Sequence, residues 1–439
     1  MSDFLAARYQ MAISLGFHII YASIGMTMPF FLFVAEWKWL KTGKEIYLKL
    51  AKAWSKGVAI FFAIGAVSGT VLSFELGMLW PEFMLHAGPI IGMPFSWEGA
   101  AFFTEAIALG LYLYGWKRLN KHVHLASGLL IGIAGVASGF FVIAANAWMN
   151  SPEGFEWVNG QAINIDPVDA MFNAAWISQS VHMVIAAFAA TGFGVAGLHA
   201  LLLLRHREMD FHRKAFRIAL TFGAVASLIM PLSGDYSAKN VASRQPEKLA
   251  AMESLFNTQE RAPLIIGGIP NPETREVKAA LEIPGFLSFL AYGNFKSEVK
   301  GLDQFPRDEW PPVLLTHFSF QIMVLLGLIM AAIGILFLIF RWKWNTLLGK
   351  AWWLRLLVFA TPLGFIALEA GWMVTELGRQ PWVIYRIMRT EDALTPMPGI
   401  IYPLILISIA YIILTFLSFF LMNRQIRYIH ADMKNSINQ

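Results

Sequence analysis

The chain has 439 residues, of which 57% are hydrophobic and only 14% charged. Soluble domains carry about 25% charged residues, so this composition excludes an ordinary soluble protein. The net charge of +5 does not point to nucleic acid, because the basic residues sit in short connections between long apolar runs. The absence of cysteine excludes disulfides, Cys-ligated zinc, iron–sulfur clusters and covalent c-type haem. Any haem must be held non-covalently.

A helix needs about 20 apolar residues to cross a bilayer. Nine segments meet that length: 13–35, 55–77, 94–115, 125–148, 177–203, 215–233, 314–340, 353–375 and 399–422. The expected fold is therefore an all-α polytopic membrane protein of about nine transmembrane helices. MSDFLAARYQ lacks the features of a cleaved signal peptide, so the first segment is expected to be retained. The odd connections are basic: Lys38 to Lys56 in the first, Lys117, Arg118 and Lys121 in the third, and Arg205, Arg207, Arg213, Lys214 and Arg217 in the fifth. Arg341, Lys343, Lys350 and Arg355 follow in the seventh, and Arg424, Arg427 and Lys434 in the tail. The second (78–93) and fourth (149–176) connections contain no Lys or Arg. This alternation predicts an external N-terminus and a cytoplasmic C-terminus.

The chain divides into six helices (1–233), a long external connection (234–313), and three helices with a tail (314–439). Within the connection, Gln245–Phe256 reads as a short helix and Ile283–Gly293 as an apolar segment too short to span. The eighth connection keeps Arg379, Arg386 and Arg389 outside against the positive-inside bias. They suit either an anionic partner, such as haem propionates, or a solvated surface.

Ionisable groups at membrane depth are costly unless paired or functional. His18, with Arg8 before it, and His182 each fit a helix–helix hydrogen bond as readily as a metal, and Met323 fits core filling. His182 and Met323 both follow an external connection closely, and a His/Met pair can hold an electron-transfer haem. Glu98 and Glu105 lie two turns apart on one helix face, about 10 Å along its axis, as a proton relay requires. Glu75 and Glu82 are ambiguous. Lys248 and Glu253 are suited to a quinol hydroxyl and its proton, but their spacing alone does not separate them from surface charges. Glu376 sits where the eighth segment meets its connection, in Gly371–Trp382, GWMVTELGRQPW.

GWxxxExGRQPW is similar to the signature of the large subunit of cytochrome bd-type quinol oxidases. EGAAFFTE (Glu98–Glu105), SQSVHM around His182, QPEKLAAME in the long connection, FQIMV around Met323 and RTEDALTP after the signature extend the resemblance over essentially the whole chain. It implies that His182 and Met323 are axial ligands of a low-spin haem b. It implies that His18 and Glu376 ligate two high-spin haems, a haem b and a haem d or third haem b, without saying which residue serves which iron. Glu98 and Glu105 match proton-delivering carboxylates, joined by Ser138; Lys248 and Glu253 match a quinol-binding pair; Trp372 and Arg379 match residues packed around the haems. The long connection resembles the shorter form of the quinol loop.

Gln321 stands where the family often has arginine. Losing a cation beside a haem disfavours the reduced state, so a lowered low-spin potential or an altered quinol site is expected, as in the branch called cyanide-insensitive. The resemblance also implies a second membrane subunit, with room for a small single-helix one, lipid contact, no nucleic acid, and a bacterial cytoplasmic (inner) membrane location. The implied activity is quinol oxidation outside coupled to dioxygen reduction, using cytoplasmic protons; ubiquinol and menaquinol are equally compatible. A haem-b quinone oxidoreductase without oxygen chemistry is the nearer alternative. A proton-coupled transporter is the more distant one, since no internal repeat is visible.

Overall fold

The computed structural model describes residues 1–205, 210–343 and 348–435, without the side chains of 432–435. Arg207 and the Lys434 side chain, counted above among the basic residues, lie outside the described residues. Among the described residues, thirteen α-helices account for most of the chain. The long ones are α1 (Asp3–Thr42), α2 (Glu45–Leu79), α3 (Pro81–Gly115), α4 (Lys121–Asn150), α6 (Trp176–Arg205), α7 (Asp210–Arg244), α10 (Val313–Phe340) and α13 (Ile401–Asn435). The pair α11 (Ala351–Ala360) and α12 (Leu363–Leu377) fills the place of a further long helix, and α5 (Pro167–Met171), α8 (Pro246–Met252) and α9 (Phe286–Tyr292) are short.

Among the described residues, eight helical stretches are long and apolar enough to cross a membrane. α3, which contains the expected segment 94–115, is as long as its neighbours but is not among the eight. Glu98 and Glu105 in its middle lower its apolarity, and it packs along α4.

Three expectations need correction. The second connection, 78–93, is not a loop: α2 and α3 are separated only by Trp80, and Pro81 opens α3 where its missing N–H costs nothing. The helix persists through Pro89 and Pro94 because Phe83, Ala87, Ile90 and Ile91 bury against Trp80, Trp148 and Ile384. The segment 353–375 is broken between α11 and α12 at Thr361–Pro362, where proline cannot donate to the preceding turn. The sixth helix does not stop at 233. α7 continues to Arg244 because its last turns, though polar, keep helix-compatible residues and an i,i+4 Lys239–Asp235 pair at 2.6 Å.

Helices adjacent in sequence pack against each other, α1 on α2, α3 on α4 and α6 on α7. The α6–α7 crossing is close enough that a Cβ on Gly192 would lie 2.4 Å from the Gly223 nitrogen, so only glycine fits there. A large core (Phe31, Trp54, Tyr112, Phe193, Phe216, Phe337) fills the half of the bundle with short connections. The other end is tied together by its long connections. Asp3 Oδ1 accepts from the Gly399 and Ile400 N–H groups. Arg244 donates to Ser151 and Glu153, and the Tyr385 N–H to Met149 O. The N-terminus and the even-numbered connections therefore share one end, as their charge pattern requires.

The long connection is a folded cap. α8 and α9 bury Leu249, Leu255, Phe256 and Leu287 in one small core. After three short strands, β1 (Glu156–Val158), β2 (Gln161–Ile163) and β3 (Gln259–Glu260), a hairpin of β4 (Leu264–Asn271) and β5 (Glu276–Ile283) lies against α10.

Candidate functional site

His18 and His182 lie on different helices but are held by the same device. His18 Nδ1 is 2.9 Å from Ser68 Oγ, and His182 Nδ1 is 3.0 Å from Ser233 Oγ. Each serine directs its single hydroxyl proton to a backbone carbonyl, Ser68 to Ile64 at 3.0 Å and Ser233 to Met230 at 3.0 Å. With its proton on that carbonyl, each serine accepts from the imidazole, an arrangement that carries the ring proton on Nδ1 and leaves the Nε2 lone pair available. A metal-ligating histidine is oriented in this way, by a hydrogen bond from its other ring nitrogen. Replacing Ser233 with alanine is expected to lower the occupancy of a group bound at His182 by roughly 10–100-fold; haem content of the purified chain measures it, and an unchanged content would reduce Ser233 to a helix contact.

The remaining donors suit haem as well. A Cβ on Gly371 would come 3.0 Å from Met323 Sδ, and one on Gly69 equally close to the His18 ring. Glycine at these points leaves the donor atoms uncovered. Glu376, at the end of α12, accepts from Asn146 of α4 and, at 2.6 Å, from Arg379 Nη2. Arg379 is only 3% exposed, yet its Nε and Nη1 have no hydrogen-bond partner among the described residues. A buried cation with two unspent donors is costly, and an anionic group of a bound cofactor would use them. Among the described residues no three His, Cys, Asp or Glu side chains converge on one metal-sized point, so these are separate axial donors rather than a cage. The residues fit non-covalent haem.

Glu98 and Glu105 both face α4. Ser138 donates to Glu98 Oε1 at 3.3 Å, and one turn away a Cβ on Gly135 would stand 3.4 Å from the Glu105 carboxyl. The structure thus joins Ser138 to Glu98 and sets Glu105 one turn away along α4. Glu75 accepts from Gln10 Nε2 at 2.9 Å, whereas Glu82 makes an exposed i,i+4 contact with His86. Arg8 stacks over Phe4 and is not brought to the other candidates. Trp372 is half-buried on α12.

Lys248 and Glu253 are not surface charges; each is 3% exposed. Lys248 Nζ donates to Asn150 Oδ1 at 3.1 Å and Thr375 O at 3.2 Å, with Gln245 Oε1 at 3.4 Å. Burial pushes Lys248 down to about 7, helped by Arg379 and opposed by Glu376 and Glu247. Burial alone pushes Glu253 up to about 8, and its Oε2 has no hydrogen-bond partner among the described residues. Gln321 does not stand free beside Met323. Its amide donates to Ile265 O at 2.9 Å and accepts from the Gly267 N–H at 3.1 Å, so it fastens β4 to α10.

Several residues escaped the sequence reading. Glu369, one α-helical repeat before Glu376, has a buried Oε1 without a partner and an Oε2 beside Gly16. Its spacing of seven from Glu376 was a usable signal. Glu247 accepts from Tyr385 Oη at 2.6 Å and from Arg386 at 3.4 Å, and Arg389 pairs with Asp308. Two of the three external arginines are thus spent on carboxylates of the long connection, which no local spacing announces.

The family model for cytochrome bd terminal oxidase subunit I matches residues 6–430. A chain of Bacillus subtilis (strain 168) provisionally named cytochrome bd menaquinol oxidase subunit I is 38% identical over 90% of both chains. The cytochrome bd ubiquinol oxidase subunit 1 of the same organism is 33% identical over 97% of this chain and 94% of its own. The structure of bd oxidase from Geobacillus thermodenitrificans superposes with a TM-score of 0.91 at 39% identity, covering 97% of this chain and 99% of that one.

Proposed function

Because this chain belongs to the cytochrome bd terminal oxidase subunit I family, we propose that it oxidises quinol at its folded cap and reduces dioxygen to water within the bundle. It is a multi-pass protein of the bacterial cytoplasmic membrane and the haem-bearing partner of a second subunit. The observation that carries the reading is the pair of histidines on different helices, each with Nδ1 held against a serine hydroxyl.

In this reading His182 and Met323 hold a low-spin haem b, and His18 and Glu376 hold two high-spin haems, a haem b with a haem d or third haem b. When bound, these haems accept electrons singly and supply the oxygen chemistry; the protein contributes ligation, orientation and proton handling. Lys248 receives a quinol hydroxyl, and Glu253 takes its proton, which leaves on the external side. A base whose carboxyl titrates at about 8 is matched to neutral conditions. Glu98, Ser138 and Glu105 pass protons inward along α3 and α4, drawn from the basic, cytoplasmic end. Trp372 and Arg379 close the haem region at the cap. The cap, residues 234–313, is the quinol loop, and Gln321 shapes its seat on α10. The exposed apolar faces of α10 and α13 meet lipid and the second subunit, with room for a small single-helix subunit.

The opposed shifts of Glu253 and Lys248 predict a pH profile. From pH 4.5 to about 8 the folded chain keeps a proton on Glu253 that the unfolded chain releases, so that contribution to stability is present at acid pH and lost across this window. From about 7 to 10.5 the unfolded chain holds a proton on Lys248 that the folded chain has released, so stability rises with pH there. A shallow minimum of Tm near neutrality is expected. Glu253→Gln should remove the falling limb and leave the rising one; identical profiles for variant and parent would show that Glu253 is not a buried ionisable group.

The deciding experiment is a reduced-minus-oxidised spectrum of the purified complex with extracted haems quantified. Three haems, carbon monoxide binding and quinol-driven oxygen uptake are expected. A single low-spin haem indifferent to carbon monoxide would leave a quinone oxidoreductase, and no haem would end the reading.

A further inference from the structure

His317 is fully buried on α10, and both of its ring nitrogens face carbonyl oxygens. Nδ1 lies 2.8 Å from Met252 O and Nε2 lies 3.0 Å from Gly267 O. A carbonyl oxygen only accepts, and a neutral imidazole has a single N–H. A neutral ring would therefore press one lone pair against a carbonyl, in a buried place where no water can intervene. Both contacts are hydrogen bonds only when both nitrogens carry protons. His18 and His182 each place Nδ1 against a serine hydroxyl, which can either donate or accept, so His317 differs from them in kind.

The two carbonyls belong to the cap. Met252 ends α8, the helix of Lys248, and immediately precedes Glu253; Gly267 is in β4. One turn further along the same face of α10, Gln321 bonds to Ile265 and Gly267. Four hydrogen bonds from two side chains thus seat the cap on the helix that carries Met323. Glu253 itself is buried with one oxygen unpartnered, so its position depends on the peptide that His317 grips.

We propose that His317 is a doubly protonated imidazolium that clamps the end of α8 to β4 and so positions Glu253 for quinol. His317 acts through the Met252 carbonyl and touches no substrate, which makes it a positioning residue. The role in quinol oxidation rests on the function proposed above, whereas the protonation state does not.

The test uses the whole oxidase complex, labelled with 15N-histidine, with His317→Gln to assign the resonances. Solid-state 15N spectra are expected to show two protonated ring nitrogens that vanish in the variant; a bare ring nitrogen lost in the variant overturns the imidazolium. In parallel, kcat/KM for duroquinol is expected to fall about tenfold or more in His317→Gln, the scale of a lost charge-assisted hydrogen bond. Hydrogen exchange at Glu253–Leu255 should quicken. Oxygen uptake driven by tetramethyl-p-phenylenediamine, which bypasses quinol, should not change, and this control separates lost positioning from a collapsed fold. His317→Lys, which retains a cation, should recover part of the duroquinol activity. Two protonated nitrogens with unchanged duroquinol kinetics would overturn the positioning role. A parent complex that ignores duroquinol would instead refute the functional reading, and the spectra would still decide the charge.

Discussion

Quinol-driven oxygen uptake is expected to fall by more than about a hundredfold when Met323 is replaced by leucine, beyond the loss typical of residues that merely support a ligand. Leucine conserves the volume of methionine and costs a packed interior little, so α10 should still seat against α12. What is lost is the thioether sulfur, which sits against Gly371 with no side chain between. The reduced-minus-oxidised spectrum is the decisive readout. The low-spin band should disappear or be replaced by one sensitive to carbon monoxide, while uptake with the bypass donor persists. An unaltered band would remove Met323 from the ligand set and return it to core filling.

Glu376→Gln is expected to cost both the oxygen reaction and about 3 kcal/mol of stability, because it strands the Arg379 charge. Arg379 is 3% exposed, and its ion-pair partner among the described residues is Glu376. Glu376 is about one-third exposed, which places the expectation at the lower end for breaking a buried pair. The double variant Glu376→Gln, Arg379→Gln removes both charges and should recover much of the thermal midpoint without recovering oxygen uptake. If both variants are equally unstable, the pair is not what holds this end of α12. If the double variant regains uptake, Glu376 is not a ligand.

The membrane fold was legible because its cause is local. Apolar length and the alternation of basic connections depend on composition over about twenty residues, and neither requires a contact partner. The errors arose where helix and hydropathy part company. Residues 78–93 and 234–244 are helical though weakly apolar, because their turns are held by packing or by polar pairs outside the hydrocarbon. Two glutamates had the opposite effect in α3, lowering the apolarity of a helix that is continuous through them. The break at Pro362 was visible as a residue, but only the folded chain reveals that proline ends α11 there.

The site divides along the same line. Which residues to single out was readable from cost alone: His18, His182, Glu98, Glu105 and Glu376 are expensive at membrane depth and therefore conspicuous. Lys248 and Glu253 were not, because charges in a long connection are usually solvated, and their burial is created by the cap folding onto the bundle. The serine partners of His18 and His182, the burial of Arg379, the two carbonyls at His317 and the commitment of Gln321 to β4 all involve partners distant in sequence. Composition and periodicity carry information about a residue's own surroundings within a few turns. A hydrogen bond between α10 and the carbonyl of Met252 spans 65 positions, and only the packing of the chain chooses it.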